Sequence, residues 1–292
     1  MKIGIISANT RLYSTRRLRE ACRKAGHDVR FLHPKKCAVR WTSSGSSLAH
    51  GNLVIDGVEA VIPRIGSSLI NSGLVALRHF EYQGIPTANS ARSIALCRDK
   101  VACLQHLASN EIPIPPTVVV DAADQLEESV DELGGFPLIL KIAHGAQGIG
   151  VIKVGAMDQL RTTVETLWHL GEHLILQRFV EESGGRDLRL LVVGDRVIAA
   201  MERSSAEGDF RSNIHCGGTG RTFRPDEELT SLAIKATRSV ELGVAGVDIL
   251  MTRNGPAILE INSSPGLEGI ESATGRNLAR SIVRYTESLP TS

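Results

Sequence analysis

Three side chains with oxygen donors lie in two short apolar segments near the end of the chain. Asp248 lies in GVDIL, and Glu260 and Asn262 lie in LEINSSPG. Glu260 and Asn262 are two residues apart on a predicted strand, so both point to one face. Such oxygens suit magnesium or manganese that carries a nucleotide triphosphate. The other interpretation is an acid pair bonded to backbone groups or arginine, because carboxylates are seldom buried without a partner.

Asp248 reaches that face only if the two strands pair in one particular register. Facing positions must then add up to 508, which centres the loop on Asn254. A three-residue loop over 253–255, with Gly255 in a left-handed bulge, produces this register. A two-residue turn at 254–255 would place Asp248 on the other face. The sequence therefore predicts the bulged three-residue loop.

A glycine-rich segment, KIAHGAQGIGV, lies between two apolar runs and contains Gly145, Gly148 and Gly150. Glycines allow backbone N–H groups to surround an anion. Lys141, at the end of the preceding strand, is placed to reach a phosphate. A simple hairpin turn is the alternative for this segment taken alone. It is neither a Walker A loop nor a Rossmann fingerprint, because a strand follows it where those motifs need a helix.

Polar residues run from the start of the first predicted hairpin of the C-terminal half into the loop before the second hairpin. The charged and amide residues among them are Asp187, Arg189, Arg203, Arg211 and Asn213. A loop with arginine and asparagine, such as GDFRSNIH, can close over a phosphate and hold its charge. A surface loop with solvated charges is the simpler interpretation.

The elements that position these residues follow from the hydrophobic pattern. The first part predicts strands at 2–7, 29–32 and 60–65, with helices at 14–24 and 73–83. This order indicates an α/β arrangement, a parallel sheet with helical crossovers. The pattern of the remaining residues, 97–292, predicts α+β structure. The predicted strands are 137–142, 151–154 and 174–180, followed by hairpins at 188–202 and 247–261. The predicted helices are 99–109, 157–170, 226–242 and 277–288. The Ser/Gly-rich stretch 42–47 is predicted to be a loop.

Composition narrows the class of protein. The 292 residues are 42% hydrophobic and 22% charged, which is typical of a globular chain with a substantial core. No segment approaches the roughly 18 apolar residues that span a membrane. The five cysteines form no C-x-x-C pair, so we expect reduced thiols and a cytoplasmic location.

Charge is unevenly distributed along the chain. Residues 1–40 hold eleven Lys/Arg against Glu20 and Asp28, a local charge of +9 within a total of +1. This segment either forms a solvated helix face or attracts an acidic partner. Direct nucleic-acid binding is not expected, because aromatic content is 4% and no recognition motif is present.

Together these features resemble the ATP-grasp ligases. The resemblance rests on Lys100, Lys141 with its glycines, Asp187, the stretch Arg211-Ser212-Asn213, and the ending D…E-x-N-x-S-P-G. The segment LYS-x-x-R-L-R-E-A and the GDFRSN loop are similar to the RimK family, and the likeness runs over almost the whole chain. It implies an ATP-grasp fold with an N-terminal parallel-sheet pre-ATP-grasp domain at 1–96, a central lid at 97–180 and a C-terminal metal- and nucleotide-binding domain at 181–292.

The resemblance also implies a role for each matching residue. The ATP-binding residues would be Lys100, Lys141, Gly145, Gly148, Gly150, Arg178, Phe179, Asp187, Arg211, Ser212 and Asn213. Asp248, Glu260 and Asn262 would hold two magnesium or manganese ions per subunit. Lys141, Arg203 and Arg211 would stabilise charge during the reaction. Arg178 stands where the family usually has glutamate.

The expected activity is ATP-dependent addition of L-glutamate to the acidic C-terminal tail of a small-subunit ribosomal protein, or synthesis of poly-α-glutamate, through an acyl phosphate. The family also implies a homotetramer. Two alternatives stay open from the sequence. One is an ATP-grasp ligase that acts on a small molecule or a carrier protein, and the other is a nucleotide-binding scaffold without turnover.

Overall fold

The computed structural model describes residues 1–43, 45–143, 150–206 and 218–290. The strands are β1 (Lys2–Ser7), β2 (Asp28–Leu32), β3 (Cys37–Thr42), β4 (Gly45–His50), β5 (Leu53–Val54), β6 (Ala60–Arg64), β7 (Thr117–Val120), β8 (Leu138–Ile142), β9 (Val151–Val154), β10 (Leu174–Arg178), β11 (Arg186–Val193), β12 (Arg196–Ser204), β13 (Thr219–Thr222), β14 (Val244–Thr252) and β15 (Gly255–Asn262).

The helices are α1 (Tyr13–Lys24), α2 (Ile70–Tyr82), α3 (Ala91–Arg98), α4 (Lys100–Ser109), α5 (Leu126–Glu132), α6 (Met157–His169), α7 (Glu227–Ser239), α8 (Glu268–Thr274) and α9 (Leu278–Glu287). Within the ranges just given, no helix combines the length and apolar composition that crossing a bilayer requires. The predicted three-part division stays a prediction, and its first boundary falls inside α3.

The N-terminal sheet is parallel, with strand order β2-β1-β6. Strand β1 buries five of its six residues, as expected for a strand covered on both faces. Helix α1 makes the crossover from β1 to β2 and buries Leu18 and Cys22 against the sheet. Gly26 follows it with a φ of 81°, a backbone conformation that glycine adopts without strain. The predicted parallel sheet is confirmed.

In the stretch predicted as a Ser/Gly loop, Thr42 and residues 45–47 instead belong to strands of a small antiparallel sheet, β3-β4-β5. The loop prediction for these residues is wrong because the low strand propensity of serine and glycine is outweighed by packing. Leu48 on β4 is buried with Leu77 and Phe80 of α2, and Val39 on β3 packs against the same cluster. Tertiary contacts with α2 thus stabilise a hairpin that local composition disfavours.

Strands β8 and β9 lie in an antiparallel sheet of order β7-β10-β8-β9. Its apolar face, which includes Leu140 and Leu176, packs against Leu160 and Val164 of α6. This sheet presents Lys141 near the end of β8.

The C-terminal sheet has the order β13-β12-β11-β14-β15. Leu188 and Leu190 of β11 pack toward Ala233 of α7, whereas Leu191 of the same strand packs toward Ile282 of α9. Because side chains alternate between faces along a strand, Asp187 and Arg189 share the face of Leu191. That face also meets β1 of the N-terminal sheet in one common core.

Polar contacts tie the N-terminal sheet to the C-terminal one. Asn89 is 3% exposed. Its Nδ2 donates to the carbonyls of Val244 and Ser263, each at 2.8 Å, and its Oδ1 accepts from the N–H groups of Gly243 and Val244. These bonds hold the start of β14 and the end of β15 against the chain before α3.

A second tie explains part of the LYS-x-x-R-L-R-E-A motif. The buried carboxylate of Glu271 in α8 accepts from Tyr13 Oη at 2.9 Å and Arg17 Nε at 2.8 Å. Burial alone raises the pKa of Glu271, but these bonds and two backbone N–H groups outweigh it and lower that pKa. The motif therefore positions α1 against the segment that follows β15.

Candidate functional site

The C-terminal hairpin brings the three predicted oxygen donors to one face. Asp248 faces Glu260, and Gly246 faces Asn262, so facing positions add up to 508 around the site. Asn262 Nδ2 donates to Asp248 Oδ2 at 3.3 Å. The predicted register is confirmed, whereas the assignment of these residues as metal ligands stays a prediction.

The prediction that a three-residue loop sets this register is wrong. Thr252 pairs with Gly255, so the loop is the two-residue turn 253–254, and the register shifts by a bulge at Leu259. The bulge lets Ile258 and Ile261, three residues apart, point into the same core. The N–H of Ile258 donates instead to the carbonyl of Pro113 on the outer side of β15, at 2.7 Å. Contacts beyond the hairpin therefore select the bulge.

Asp248 is held by two arginines. It is 2% exposed, and Arg189 donates from Nε to Oδ1 at 2.7 Å and from Nη2 to Oδ2 at 2.6 Å. Arg203 Nη2 lies 3.0 Å from Oδ2. Burial by itself raises the pKa of Asp248, but the two guanidinium groups outweigh it and lower that pKa. The carboxylate is therefore ionised, and Oδ1 keeps one acceptor position for a cation.

Arg203 links Asp248 to Asp187. Its guanidinium is 2% exposed, and its Nε donates to Asp187 Oδ1 at 2.6 Å while Nη2 donates to Oδ2. Burial alone lowers the pKa of Arg203, but the two carboxylates raise it more, so the group stays charged. Both oxygens of Asp187 are thus occupied by Arg203, and its predicted contact with the ribose stays a prediction.

Glu260 lies among cations. Its side chain is exposed and, within the described ranges, accepts no hydrogen bond. It nevertheless attracts Arg98, Lys100 and Lys141 strongly enough to oppose the lowering of their pKa values by burial. A carboxylate of this kind is suited to bind a divalent cation.

The two lysines predicted to hold phosphates are close together. Lys141 Nζ donates to Gln177 Oε1 at 2.6 Å. Lys100 Nζ donates to the carbonyls of Ile142 and Ala143 at 3.2 and 3.4 Å, directly after Lys141 in the chain. Burial, and then Lys100 as a neighbouring like charge, lower the pKa of Lys141 to about 8 against the attraction of Glu260. An incoming anion would relieve this destabilisation.

The net charge of the site suits a metal–triphosphate complex. Among the described residues of the site, there are five cations, Arg98, Lys100, Lys141, Arg189 and Arg203, and three carboxylates, Asp187, Asp248 and Glu260. The surplus is positive, and the donors on the hairpin face are all oxygens. Both properties fit a nucleotide whose phosphates carry magnesium.

The residues predicted to lie near adenine are at the end of β10. Arg178 is exposed, and its N–H donates to the carbonyl of Pro116 at 2.9 Å. The Phe179 ring lies under Lys153, whose Nζ is 3.9 Å from the ring centroid. Because β10 pairs with β8, Arg178 is on the same sheet as Lys141, and Phe179 directly follows that strand.

Five of the predicted ATP-binding residues, Gly145, Gly148, Arg211, Ser212 and Asn213, lie outside the described residues. Gly150 is described and has a φ of 75°. A Cβ there would come within 2.7 Å of Ile142 Cδ1. Glycine is therefore required where the glycine-rich segment returns to the sheet.

Two residues that contact or influence the site were not singled out by the sequence. Gln177 is 2% exposed and orients the Lys141 ammonium. A glutamine in the otherwise apolar run LILQ is the signal for it, because a buried amide needs a partner. Arg98 immediately precedes the Asp99-Lys100 pair, and its position two residues before a phosphate-binding candidate is a weaker signal.

Comparison with solved structures identifies the fold. A RimK domain protein of the ATP-grasp class from Sphaerobacter thermophilus matches with a TM-score of 0.75 and 23% identity, covering 98% of this chain and 99% of that one. The ATP-grasp ligase PsnB, in complex with minimal precursor, Mg and ADP, matches with a TM-score of 0.74 and 20% identity, covering 98% of each chain. At these identities the likeness establishes the ATP-grasp fold alone.

Sequence comparison establishes the family. The RimK PreATP-grasp domain matches residues 1–94, and the RimK-like ATP-grasp domain matches residues 97–286. Proteins named probable alpha-L-glutamate ligase are 45% identical in Xanthomonas axonopodis pv. citri and 41% identical in Nitrosococcus oceani, over 98% of this chain and 97% and 95% of theirs. The chain therefore belongs to the RimK family of ATP-grasp ligases, ATP-dependent enzymes that use magnesium.

Replacing Lys141 with methionine should stabilise the fold in a pH-dependent way. The pKa of Lys141 falls from its ordinary 10.5 to about 8, so the unfolded chain binds more protons between these pH values and wild-type stability increases with pH there. Lys141→Met should thus be more stable at pH 7 by up to about 3 kcal/mol. The advantage should disappear as pH rises from about 8 to 10.5.

Urea denaturation at several pH values measures this difference. Lys235→Met is the matched control, because Lys235 is exposed and its ammonium donates to a backbone carbonyl, that of Glu111 at 3.3 Å. If the free energies of unfolding of Lys141→Met and wild type differed by the same amount at every pH, the lowered pKa of the Lys141 ammonium would be contradicted.

Proposed function

We propose that this chain uses ATP to add L-glutamate to the C-terminal carboxylate of an acidic protein tail, with a small-subunit ribosomal protein as the acceptor. The observation that carries the proposal is that Asp248, Glu260 and Asn262 lie on one face of the β14–β15 hairpin, close to two lysines. The relatives named probable alpha-L-glutamate ligase support glutamate as the amino acid. The PsnB complexes with a precursor peptide support a peptide acceptor.

The proposed reaction has two steps. A carboxylate oxygen of the acceptor attacks the γ-phosphorus of ATP, and the bond from that phosphorus to the β,γ-bridging oxygen breaks, which gives an acyl phosphate and ADP. The amino group of glutamate then attacks the acyl carbon. The carbon–oxygen bond breaks, inorganic phosphate leaves, and the nitrogen loses its proton as the amide forms.

In this reaction the side chains of the enzyme stabilise negative charge and position the substrates. No side chain acts as a nucleophile, because the acceptor carboxylate and the amino group of glutamate supply both attacking atoms. Lys100 and Lys141 hold phosphate oxygens, and Arg203 keeps Asp248 ionised and oriented. Asp248, Glu260 and Asn262 would hold two magnesium or manganese ions, which neutralise charge that develops on the phosphate oxygens. The glycine-rich segment and Arg211 would exclude water from the acyl phosphate. The family precedent favours a homotetramer.

Mass spectrometry of the acceptor tests the proposal most directly. The purified chain is incubated with ATP, magnesium, glutamate and an acidic peptide that ends in glutamate, and the peptide should gain mass in steps of one glutamate residue. The same peptide with a C-terminal amide should gain none. ATP turnover that modifies only small carboxylic acids would contradict the protein acceptor, and absence of any ATP turnover would contradict the enzyme.

Salt should weaken the acceptor interaction selectively. Eight of the eleven basic residues in 1–40 are exposed, and attraction between exposed charges is screened over roughly 10 Å at 0.1 M salt. KM for the acidic peptide should therefore rise with ionic strength, while KM for ATP stays nearly constant. A peptide with the same last residue but glutamines upstream is the control. Equal salt dependence for both peptides would contradict a role for the basic segment.

A further inference from the structure

Two guanidinium groups come together where the N-terminal sheet meets the end of β15. Arg64 is the last residue of β6, and its Nη2 donates to the carbonyl of Pro265 at 2.7 Å and to that of Ser264 at 3.3 Å. Arg98 is the last residue of α3, and its Nη2 donates to the carbonyl of Ile65 at 2.7 Å. Each arginine is therefore oriented by backbone of the adjoining segment.

The loop that follows β15 lies close against β14. A Cβ on Gly246 would come within 2.8 Å of Pro265 Cβ, so glycine there allows Pro265 to lie against β14. The packing of Pro265 against Gly246 and the hydrogen bonds from Arg64 thus hold the loop in place. A site on this loop would be preorganised.

Among the described residues, no carboxylate lies within ion-pairing distance of either arginine, and the attraction of Glu260 on Arg98 acts over a longer range. Arg98 Nε is buried without an acceptor, and so is the hydroxyl of Ser264. A buried donor without a partner is destabilising, and a buried charge without a counter-ion more so. Burial followed by repulsion from Arg98 lowers the pKa of Arg64 to about 10. A bound anion would remove each of these penalties.

The position of this pair indicates which anion it binds. Arg64 lies at the carboxyl end of a parallel strand, where ligands of open α/β sheets bind. Ser264 follows Asn262 by two residues, and Glu260 attracts Arg98. An anion held by the two arginines would therefore lie beside the proposed metal and phosphate residues. The substrate group that must reach the γ-phosphate is the carboxylate of the acceptor.

We propose that Arg64 and Arg98, with the hydroxyl of Ser264, bind the acceptor carboxylate and position it for attack on the γ-phosphate. The inference rests on the proposed function and specifies its acceptor site. A guanidinium group matches the planar carboxylate with paired N–H donors. Lysine would keep the charge but lose this match.

The variants Arg98→Lys and Ser264→Ala test the proposal. In steady-state ligation of the acidic peptide, Arg98→Lys should raise KM for the peptide by about tenfold to a hundredfold, as for the loss of a hydrogen bond to a charged group. Ser264→Ala removes a hydroxyl without a described partner and should raise it roughly threefold to tenfold. KM for ATP and for glutamate should change less than about twofold, within experimental scatter for an untouched subsite.

Arg276→Lys is the matched control, because Arg276 Nη1 likewise donates to a backbone carbonyl, that of Ile198 at 2.7 Å. It should leave all three KM values unchanged. Thermal unfolding of each variant separates loss of binding from loss of structure. A rise in KM for ATP or for glutamate instead of the peptide would assign the arginines to another anion and overturn the proposal. An unchanged KM for the peptide in both variants would also overturn it.

Direct binding keeps this test independent of turnover. A fluorescent acidic peptide is titrated with wild type and with Arg98→Lys, in the presence of magnesium and a non-hydrolysable ATP analogue. The dissociation constant should rise by the same factor as KM, and the C-terminally amidated peptide should bind weakly and equally to both proteins. Binding that depends on Arg98 without ligation in any assay would refute the proposed function while supporting the carboxylate site. Ligation at the wild-type rate in Arg98→Lys would support the proposed function and refute the carboxylate site.

Discussion

Glu260→Gln should reduce kcat/KM for ligation by roughly 10³-fold or more, because a metal-binding carboxylate contributes several kcal/mol to charge stabilisation. The fold should be unaffected. Glu260 is exposed and, within the part of the chain that the structure describes, accepts no hydrogen bond, so its replacement by an isosteric amide leaves no buried group unpaired.

Magnesium dependence distinguishes a metal ligand from a general electrostatic effect. The magnesium concentration for half-maximal activity should rise in Glu260→Gln. Binding of ATP without magnesium should hold or improve, since Lys100 and Lys141 lose a competing anion. Isothermal titration with and without magnesium measures both effects.

Glu165→Gln is the control for this prediction, because Glu165 is an exposed residue of α6. It should retain wild-type activity and magnesium dependence. If Glu260→Gln kept full activity at ordinary magnesium concentrations, the assignment of the hairpin face as the metal site would be wrong.

Arg203→Met should lower the free energy of unfolding by about 3–5 kcal/mol, the range for removing one partner from a buried ion pair. Arg203 and Asp187 are both nearly inaccessible to solvent, and Arg203 Nη2 also lies 3.0 Å from Asp248 Oδ2. The substitution leaves Asp187 without a described counter-ion and Asp248 with one arginine fewer. Activity should fall as well, because Arg203 orients Asp248.

Urea denaturation at neutral pH measures the stability loss, with ligation assayed below the unfolding temperature. Arg221→Met is the matched control from the neighbouring strand pair, β12 and β13. Arg221 pairs with Glu202 at 2.8 Å, but its side chain is 72% exposed, so the loss should be under about 1 kcal/mol. Equal losses for Arg203→Met and Arg221→Met would show that burial of the Arg203 pair contributes nothing.

The hairpin shows how far sequence reasoning reaches. Requiring Asp248, Glu260 and Asn262 on one face led to the correct facing positions. The loop inferred from them was wrong, because a loop of three residues and an internal bulge at Leu259 produce the same register near the site. Only the hydrogen bond from Ile258 to Pro113, and the packing of Ile258 beside Ile261, select between them.

What the sequence alone determined is the chemistry available and the order of most elements, including the parallel sheet, the two C-terminal hairpins and the RimK family. Residue types and hydrophobic period are local properties, so they can be read without coordinates.

Partner choice was decided by tertiary structure. Arg189 and Arg203 share Asp248 across strands far apart in sequence, Glu271 joins α8 to α1, and Arg64 at the end of β6 meets Arg98 at the end of α3. Such partners depend on strand order and on the packing of distant segments. A pattern along one chain cannot specify them, because many registers and orders satisfy the same local preferences.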